Sequence, residues 1–119
     1  MLEMGIHTSG GSDAPVVSFD AMENIYFAVT RKNISGQPQE GWIPSEKISV
    51  DEAVKLFTKN AAYASYTEDE NGTIEVGKNA DFVVLEKNIY EIDPDEIKAT
   101  KVDMTVLGGE IVYEREAEE

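Results

Sequence analysis

The sequence predicts a mixed α/β chain in which one short strand and two helices precede a small antiparallel sheet. Three observations carry that expectation. Phe19, Met22, Tyr26 and Val29 recur at the three- and four-residue spacing of one helix face. Ser49-Val50-Asp51-Glu52 has the form of a capping box, which opens a second helix. Val102, Met104 and Val106 alternate with Asp103 and Thr105, and Gly108-Gly109 then turns the chain into Ile111-Val112-Tyr113, the pattern of a hairpin.

Taken in order, residues 5–9 are short and β-prone, and Gly10 and Gly11 end that strand just before Asp13 and Pro15. Ser18 is the expected N-cap of a helix over about 19–32, whose Lys32 suits the negative pole of the helix dipole. Residues 33–47 hold two prolines and two glycines without periodicity and read as a loop, with Trp42 docking on a core surface. In the capped helix, Ala53, Leu56, Phe57, Asn60, Ala61 and Ala64 lie along one side. An acidic turn over 67–72 leads to a short strand at Ile74–Val76, a second turn at 77–79, and a buried strand over Ala80–Glu86. Asp93 caps a single helical turn with Pro94 in its first position.

Composition excludes several classes. At 119 residues the chain supports one modest domain and is too short for a (β/α)₈ barrel of about 250 residues. The net charge of −14 and the lack of any Lys/Arg cluster argue against nucleic acid and anionic membranes as partners. No apolar run approaches the roughly 20 residues of a membrane span, and no signal peptide opens the chain. With no cysteine there is no disulfide framework, which fits a cytoplasmic setting. The acidic tail Glu114–Glu119 reads as a solvated end.

Five segments in order resemble one family. Gly11-Ser12-Asp13-Ala14-Pro15-Val16 is similar to the end of the eighth barrel strand of the amidohydrolase superfamily, in particular its amidohydrolase family 3 branch. Ala28-Val29-Thr30-Arg31 and Gly41-Trp42-Ile43-Pro44 resemble that branch's next signposts, and Glu52 to Ala62 resembles a helix common to the superfamily. Gly72 to Leu85 follows its Gly-x-Ile-x-x-Gly-Lys-x-Ala-Asp return strand, and Val102 to Tyr113 its closing hairpin. The resemblance implies that residues 1–66 are the last strand and helices of a (β/α)₈ barrel. Residues 67–119 are then part of an antiparallel composite β-sandwich.

The same resemblance implies a parent enzyme that hydrolyses a C–N, amide-type bond of a small molecule with a metal-activated water. Asp13 is the position it marks, as a ligand or neighbour of a divalent metal, usually zinc, and as the proton acceptor. A metal lowers the pKa of its water, and a carboxylate can carry the released proton to the leaving nitrogen. The family's paired histidines and later histidine ligands have no counterpart here, where His7 is the single histidine. A catalytic zinc site needs about three protein ligands. The chain alone is therefore expected to hold no metal tightly and to be inactive, as a piece of a larger enzyme or a truncated gene product.

Other residues carry competing readings. Without the resemblance, Asp13 is a turn aspartate before a proline. Arg31 either clamps a substrate carboxylate or serves as a helix-end dipole partner. Trp42 lines a pocket or packs on a neighbouring helix. His7 is expected to have no special role, Asp81 to bond backbone at a turn, and Lys78 to be solvated. Glu68-Asp69-Glu70 lacks the glycine and terminal glutamate of an EF-hand loop. The competing class is a non-catalytic module that pairs with itself or with a partner chain; a homodimer is expected through exposed strand edges, using apolar faces that include Val83, Leu85, Met104 and Val106.

Overall fold

The structure, a computed structural model, describes residues 4–116; the last three residues of the expected acidic tail lie outside them. Three helices, α1 (Ala21–Thr30), α2 (Val50–Phe57) and α3 (Lys59–Ala64), precede a sheet of β1 (Phe82–Leu85), β2 (Val102–Leu107) and β3 (Glu110–Glu114). Short 3₁₀ turns occupy Pro44–Glu46 and Pro94–Ala99. The sheet is antiparallel in the order β1-β2-β3, which leaves β1 and β3 at its edges. The mixed α/β class is as the sequence predicts, but the first strand does not form and the second expected helix is divided into α2 and α3.

Helix α1 starts two residues later than the periodicity suggests. Asp20, not Ser18, is its cap: the Asp20 carboxylate accepts from the Met22 N–H at 2.8 Å and the Glu23 N–H at 3.4 Å. Ser18 instead accepts from the Asp20 N–H at 3.2 Å, one step outside the helix. Aspartate is as strong a cap as serine, so the nearer one prevails. Phe19 consequently precedes the helix and is exposed, while Met22, Ile25, Tyr26 and Val29 form the buried face. Lys32 also falls beyond the helix end, where it pairs with Asp95 at 2.7 Å.

Helix α2 follows its capping box as expected: Ser49 Oγ accepts from the Glu52 N–H at 3.2 Å, and Glu52 accepts from the Ser49 N–H at 2.8 Å. The helix then breaks at Thr58, whose φ of −123° and ψ of −101° leave the helical region before α3 begins. Gly72 closes against α3. Its φ is +89°, and a Cβ there would come within 2.7 Å of Ala62 Cβ and 2.9 Å of Lys59 Cα. Only glycine meets both demands.

The main core joins α1, α2 and the second 3₁₀ turn. Met22, Ile25, Tyr26 and Val29 of α1 pack with Ala53 of α2, with Ile89, and with Ile97 of the second 3₁₀ turn. Asp93 caps that turn through the Asp95 N–H at 2.8 Å, with Pro94 at its first position, as the sequence predicts. Lys98 reinforces the docking, its ammonium 4.7 Å from the Tyr26 ring centroid and 2.7 Å from the Ile34 carbonyl.

Other expected elements differ. Residues 5–9 form no strand; the Thr8 carbonyl accepts from the Asn60 side chain of α3, and the Gly10 N–H just beyond donates to the Leu56 carbonyl of α2. Ile74–Val76 is also not a strand, and Ile74 and Val76 are exposed around a turn in which the Lys78 N–H reaches the Glu75 carbonyl at 3.2 Å. Strand β1 exists but is exposed rather than buried, at 38% for Phe82, 52% for Val83 and 41% for Val84. Its apolar run suits a strand covered on both faces, and among the described residues much of it has no such cover. Of the residues expected on open apolar faces, Val83 is exposed, Leu85 and Met104 are half-buried, and Val106 is buried. No described helix is long and apolar enough to cross a membrane.

Candidate functional site

Asp13 sits at the head of a tight turn in which its carbonyl accepts from the Val16 N–H at 2.9 Å. Its φ is +50°, a left-handed conformation that costs a non-glycine residue on the order of 1–3 kcal/mol. The residue is exposed. The segment leading to it is fastened. The Gly10 N–H donates to the Leu56 carbonyl at 3.0 Å, and the Asn60 side-chain amide donates to the Thr8 carbonyl at 2.9 Å. His7 stacks on Tyr63, the ring centroids 4.3 Å apart and the planes 21° from parallel.

His7 is thus an aromatic partner on a helix surface. Among the described residues no group of three or more His, Asp and Glu side chains is placed to hold a metal ion. These residues alone do not fit a divalent-metal centre, which needs about three protein ligands.

Arg31 is the C-cap of α1. It adopts φ +58°, and its N–H donates to the Phe27 carbonyl. Its Nε–H donates to the Trp42 carbonyl at 3.0 Å, its own carbonyl accepts from the Trp42 N–H at 2.8 Å, and its guanidinium lies 5.2 Å from the indole centroid. Trp42 is 65% exposed, so it does not dock on the core; it pairs with Arg31 instead. The loop between them is held by Gly41, where a Cβ would come within 2.3 Å of the Thr30 carbonyl oxygen.

The groups whose titration is displaced belong to caps, turns and exposed ion pairs, among them Lys55 of α2, raised by its hydrogen bond to Asp51. Asp95 raises the pKa of Lys32 by a hydrogen bond to its ammonium. The Ser49 N–H and hydroxyl lower that of Glu52. The Thr73 hydroxyl and Lys78 lower that of Glu75. Lys78 is not solvated as expected: it is largely buried and donates to the Glu68 carbonyl at 2.6 Å and the Thr73 hydroxyl at 2.7 Å. The Asp81 carboxylate bonds backbone, though at the distant β2–β3 hairpin and not at the turn over 77–79 beside it.

An apolar cleft of about 540 Å³ runs between the helices and the sheet, lined by Met22, Ile25, Phe57, Phe82, Leu85 and Tyr90 among others. Asp13 does not line it. The sequence placed Asn60 only on a helix face and missed its bond to Thr8. The signal was the polar type of that residue on a side otherwise made of apolar and small groups.

Comparison with known proteins accounts for this arrangement. A model of the amidohydrolase family, its family 3 branch, matches residues 1–113. YtcJ of Bacillus subtilis, whose name places it among the amidohydrolases, is 38% identical over 115 residues, 97% of this chain and 22% of that protein. The N-substituted formamide deformylase of Arthrobacter pascens is 35% identical over 97% of this chain and 21% of its own length. The crystal structure of an amidohydrolase from Thermotoga maritima superposes with a TM-score of 0.66 at 23% identity, over 96% of this chain and 24% of that one. The chain therefore spans between a fifth and a quarter of the length of these relatives. It belongs to the amidohydrolase family, in the family 3 branch, and corresponds to one part of such a protein.

Proposed function

We propose that this chain is the C-terminal portion of a metal-dependent amidohydrolase. In this reading residues 1–66 supply the end of the eighth barrel strand and the last helices, and residues 67–119 supply part of the composite sandwich. The parent reaction is hydrolysis of a C–N, amide-type bond in a small molecule. The formamide deformylase of Arthrobacter pascens, which matches 97% of the chain, supports that bond class.

The observation that carries the reading is the backbone of Asp13. An exposed aspartate whose backbone is left-handed, after a segment fastened to two helices, supports the reading of a residue placed for use. What the chain contributes is that one carboxylate, able to hold a proton and pass it on. The divalent metal, zinc in this reading, is held by ligands from the rest of the parent enzyme, and the chain alone is inactive. Arg31 is a weaker candidate for substrate contact, because Trp42 already engages its guanidinium.

The test is a chimera in which residues 1–113 replace the matching part of the Arthrobacter pascens deformylase. Asp13→Asn is expected to abolish turnover of an N-substituted formamide with folding and metal content unchanged. Turnover within tenfold of the unmutated chimera would sink the assignment.

A second reading is favoured by the sheet edges. Val83 in β1 and Ile111, Val112 and Tyr113 in β3 are each about half exposed. Open edges of that kind template another chain, and the non-catalytic alternative is a homodimer built on them. Light scattering over a dilution series separates the two: a monomeric mass at high micromolar concentration would remove the dimer.

A further inference from the structure

The break between α2 and α3 is unusual in where its polar groups point. The last four carbonyls of a helix have no donor within it. In α2 three of these four are taken up one by one. Thr58 Oγ1 donates to the Val54 carbonyl at 2.9 Å, and the Thr58 N–H to the Lys55 carbonyl at 3.3 Å. The third, Leu56, accepts from the Gly10 N–H at 3.0 Å, a donor from the far end of the chain. On the other side of the break, Asn60 reaches the Thr8 carbonyl at 2.9 Å. The same short segment is therefore gripped at two points, once as donor and once as acceptor.

Gly10 fits this grip sterically. A Cβ there would lie 2.7–3.0 Å from three atoms of the Phe57 ring. Gly10 thus sits against that ring at the same point where its N–H reaches the Leu56 carbonyl. From Gly10 the chain runs through Gly11 and Ser12 to Asp13, too short a span to wander far from the anchored point.

We propose that Asn60, together with the Leu56 carbonyl and the Phe57 ring, positions Asp13. The α2–α3 break is a docking station that fixes the segment bearing the carboxylate. The proposal rests on the reading of Asp13 as the proton-handling group. Asn60 touches neither substrate nor reacting atoms, and acts through Thr8 and Gly10. Its loss leaves a carboxylate of normal chemistry in the wrong place.

The experiment has two arms. In the 119-residue chain labelled with ¹⁵N and ¹³C, Asn60→Leu keeps the side chain's bulk and removes the donor. Amide exchange at Gly10 is expected to speed up at least tenfold, and the Asp13 Cα and Cβ shifts to move toward unfolded values, while β2 amides keep their protection. Unchanged exchange and shifts overturn the proposal. In the chimera, Asn60→Leu is expected to lower kcat at least tenfold with KM within twofold. A smaller folded fraction also lowers apparent kcat at constant KM, so unchanged metal content per chain and an unchanged circular-dichroism spectrum are what separate displacement of Asp13 from loss of folding. Gly10→Ala perturbs the grip from the segment side, leaves the helices intact, and is expected to act alike; it carries the test if Asn60→Leu fails to fold. If Asp13→Asn inactivates the chimera while folded Asn60→Leu and Gly10→Ala keep full kcat, the positioning role is wrong and Asp13 stands. If Asp13→Asn is itself harmless, the failure lies with the reading of Asp13, and positioning of a catalytic group falls with it.

Discussion

The carboxylate of Asp81 accepts a hydrogen bond from the Gly108 N–H at 2.7 Å, across 27 residues of sequence. Beside it the Gly109 N–H donates to the Ala80 carbonyl at 3.0 Å. Both amides of the hairpin turn are thereby tied to the entry of β1, so the Gly-Lys-x-Ala-Asp signature acts in this chain as a fastening for the β2–β3 turn. Asp81→Ala is expected to cost about 1–2 kcal/mol, the low end for a hydrogen bond to a charged group because the contact is exposed. Asp81→Asn, which keeps an acceptor oxygen, should recover about half. Urea unfolding of the three proteins checks this, and equal midpoints for Ala and wild type would show that the contact contributes nothing.

Helix α3 ends in a Schellman motif with the wrong residue for it. The Thr67 N–H bonds to the Ala62 carbonyl at 2.9 Å and the Tyr66 N–H to the Tyr63 carbonyl at 3.1 Å. Tyr66, at the left-handed position, has φ +59° and a side chain 93% exposed. Glycine avoids the left-handed penalty of about 1–2 kcal/mol but loses more backbone entropy on folding. Tyr66→Gly is therefore expected to stabilise by about 0.5–1 kcal/mol, and Tyr66→Ala to give no such gain. Thermal melts of both variants decide; an increase for Ala as large as for Gly would point to removal of the exposed ring instead.

Local chemistry was legible in the sequence, and long-range cover was not. Ser49 with Glu52, Asp93 with Pro94, and Gly108-Gly109 each define a cap or turn within a few residues, and each stands in the structure as read. The expected cap, Ser18, stands two residues before the one that forms, Asp20, which is an equally adequate residue type. The strand at 5–9 failed for a different reason. A strand is defined by its neighbour, and here the neighbours are a helix-end carbonyl and an asparagine amide. Ile74, Val76 and Val83 likewise have the apolar character of covered residues, yet sequence pattern cannot say what covers them. Asp13 was marked by resemblance, but its left-handed backbone and the grip of Asn60 on its segment needed three dimensions.

The cap of α2 carries a pH dependence. The Ser49 N–H and hydroxyl both bond the Glu52 carboxylate, so its pKa in the folded chain lies below the ordinary 4.5. A depressed carboxylate pKa stabilises the fold fully above the unfolded value, and that contribution is lost as pH falls through the folded one. Glutamine at this position still accepts from the cap but does not titrate. The stability difference between wild type and Glu52→Gln is thus expected to be constant above pH 4.5 and to shrink below it. Melting curves from pH 7 to pH 3 test this; a gap that does not vary with pH would mean the charge on Glu52 plays no part.

Arg31 offers the sharpest separation of a structural from a substrate-binding role. Its backbone closes α1, its Nε–H and carbonyl both pair with Trp42, and its guanidinium faces the indole, which is the chain's single tryptophan. Arginine is required for that combination, because an ammonium lacks the planar fork that bonds a carbonyl while stacking on a ring. Arg31→Lys is expected to destabilise by about 1 kcal/mol and Arg31→Ala by somewhat more, from one hydrogen bond and one exposed cation–π contact. Both should change the tryptophan emission. In a double-mutant cycle with Trp42→Ala, the coupling should be about 0.5–1 kcal/mol, since each partner's loss removes the same contact. A residue reserved for substrate predicts the reverse: unchanged stability and emission, no coupling to Trp42, and a rise in KM confined to substrates bearing a carboxylate.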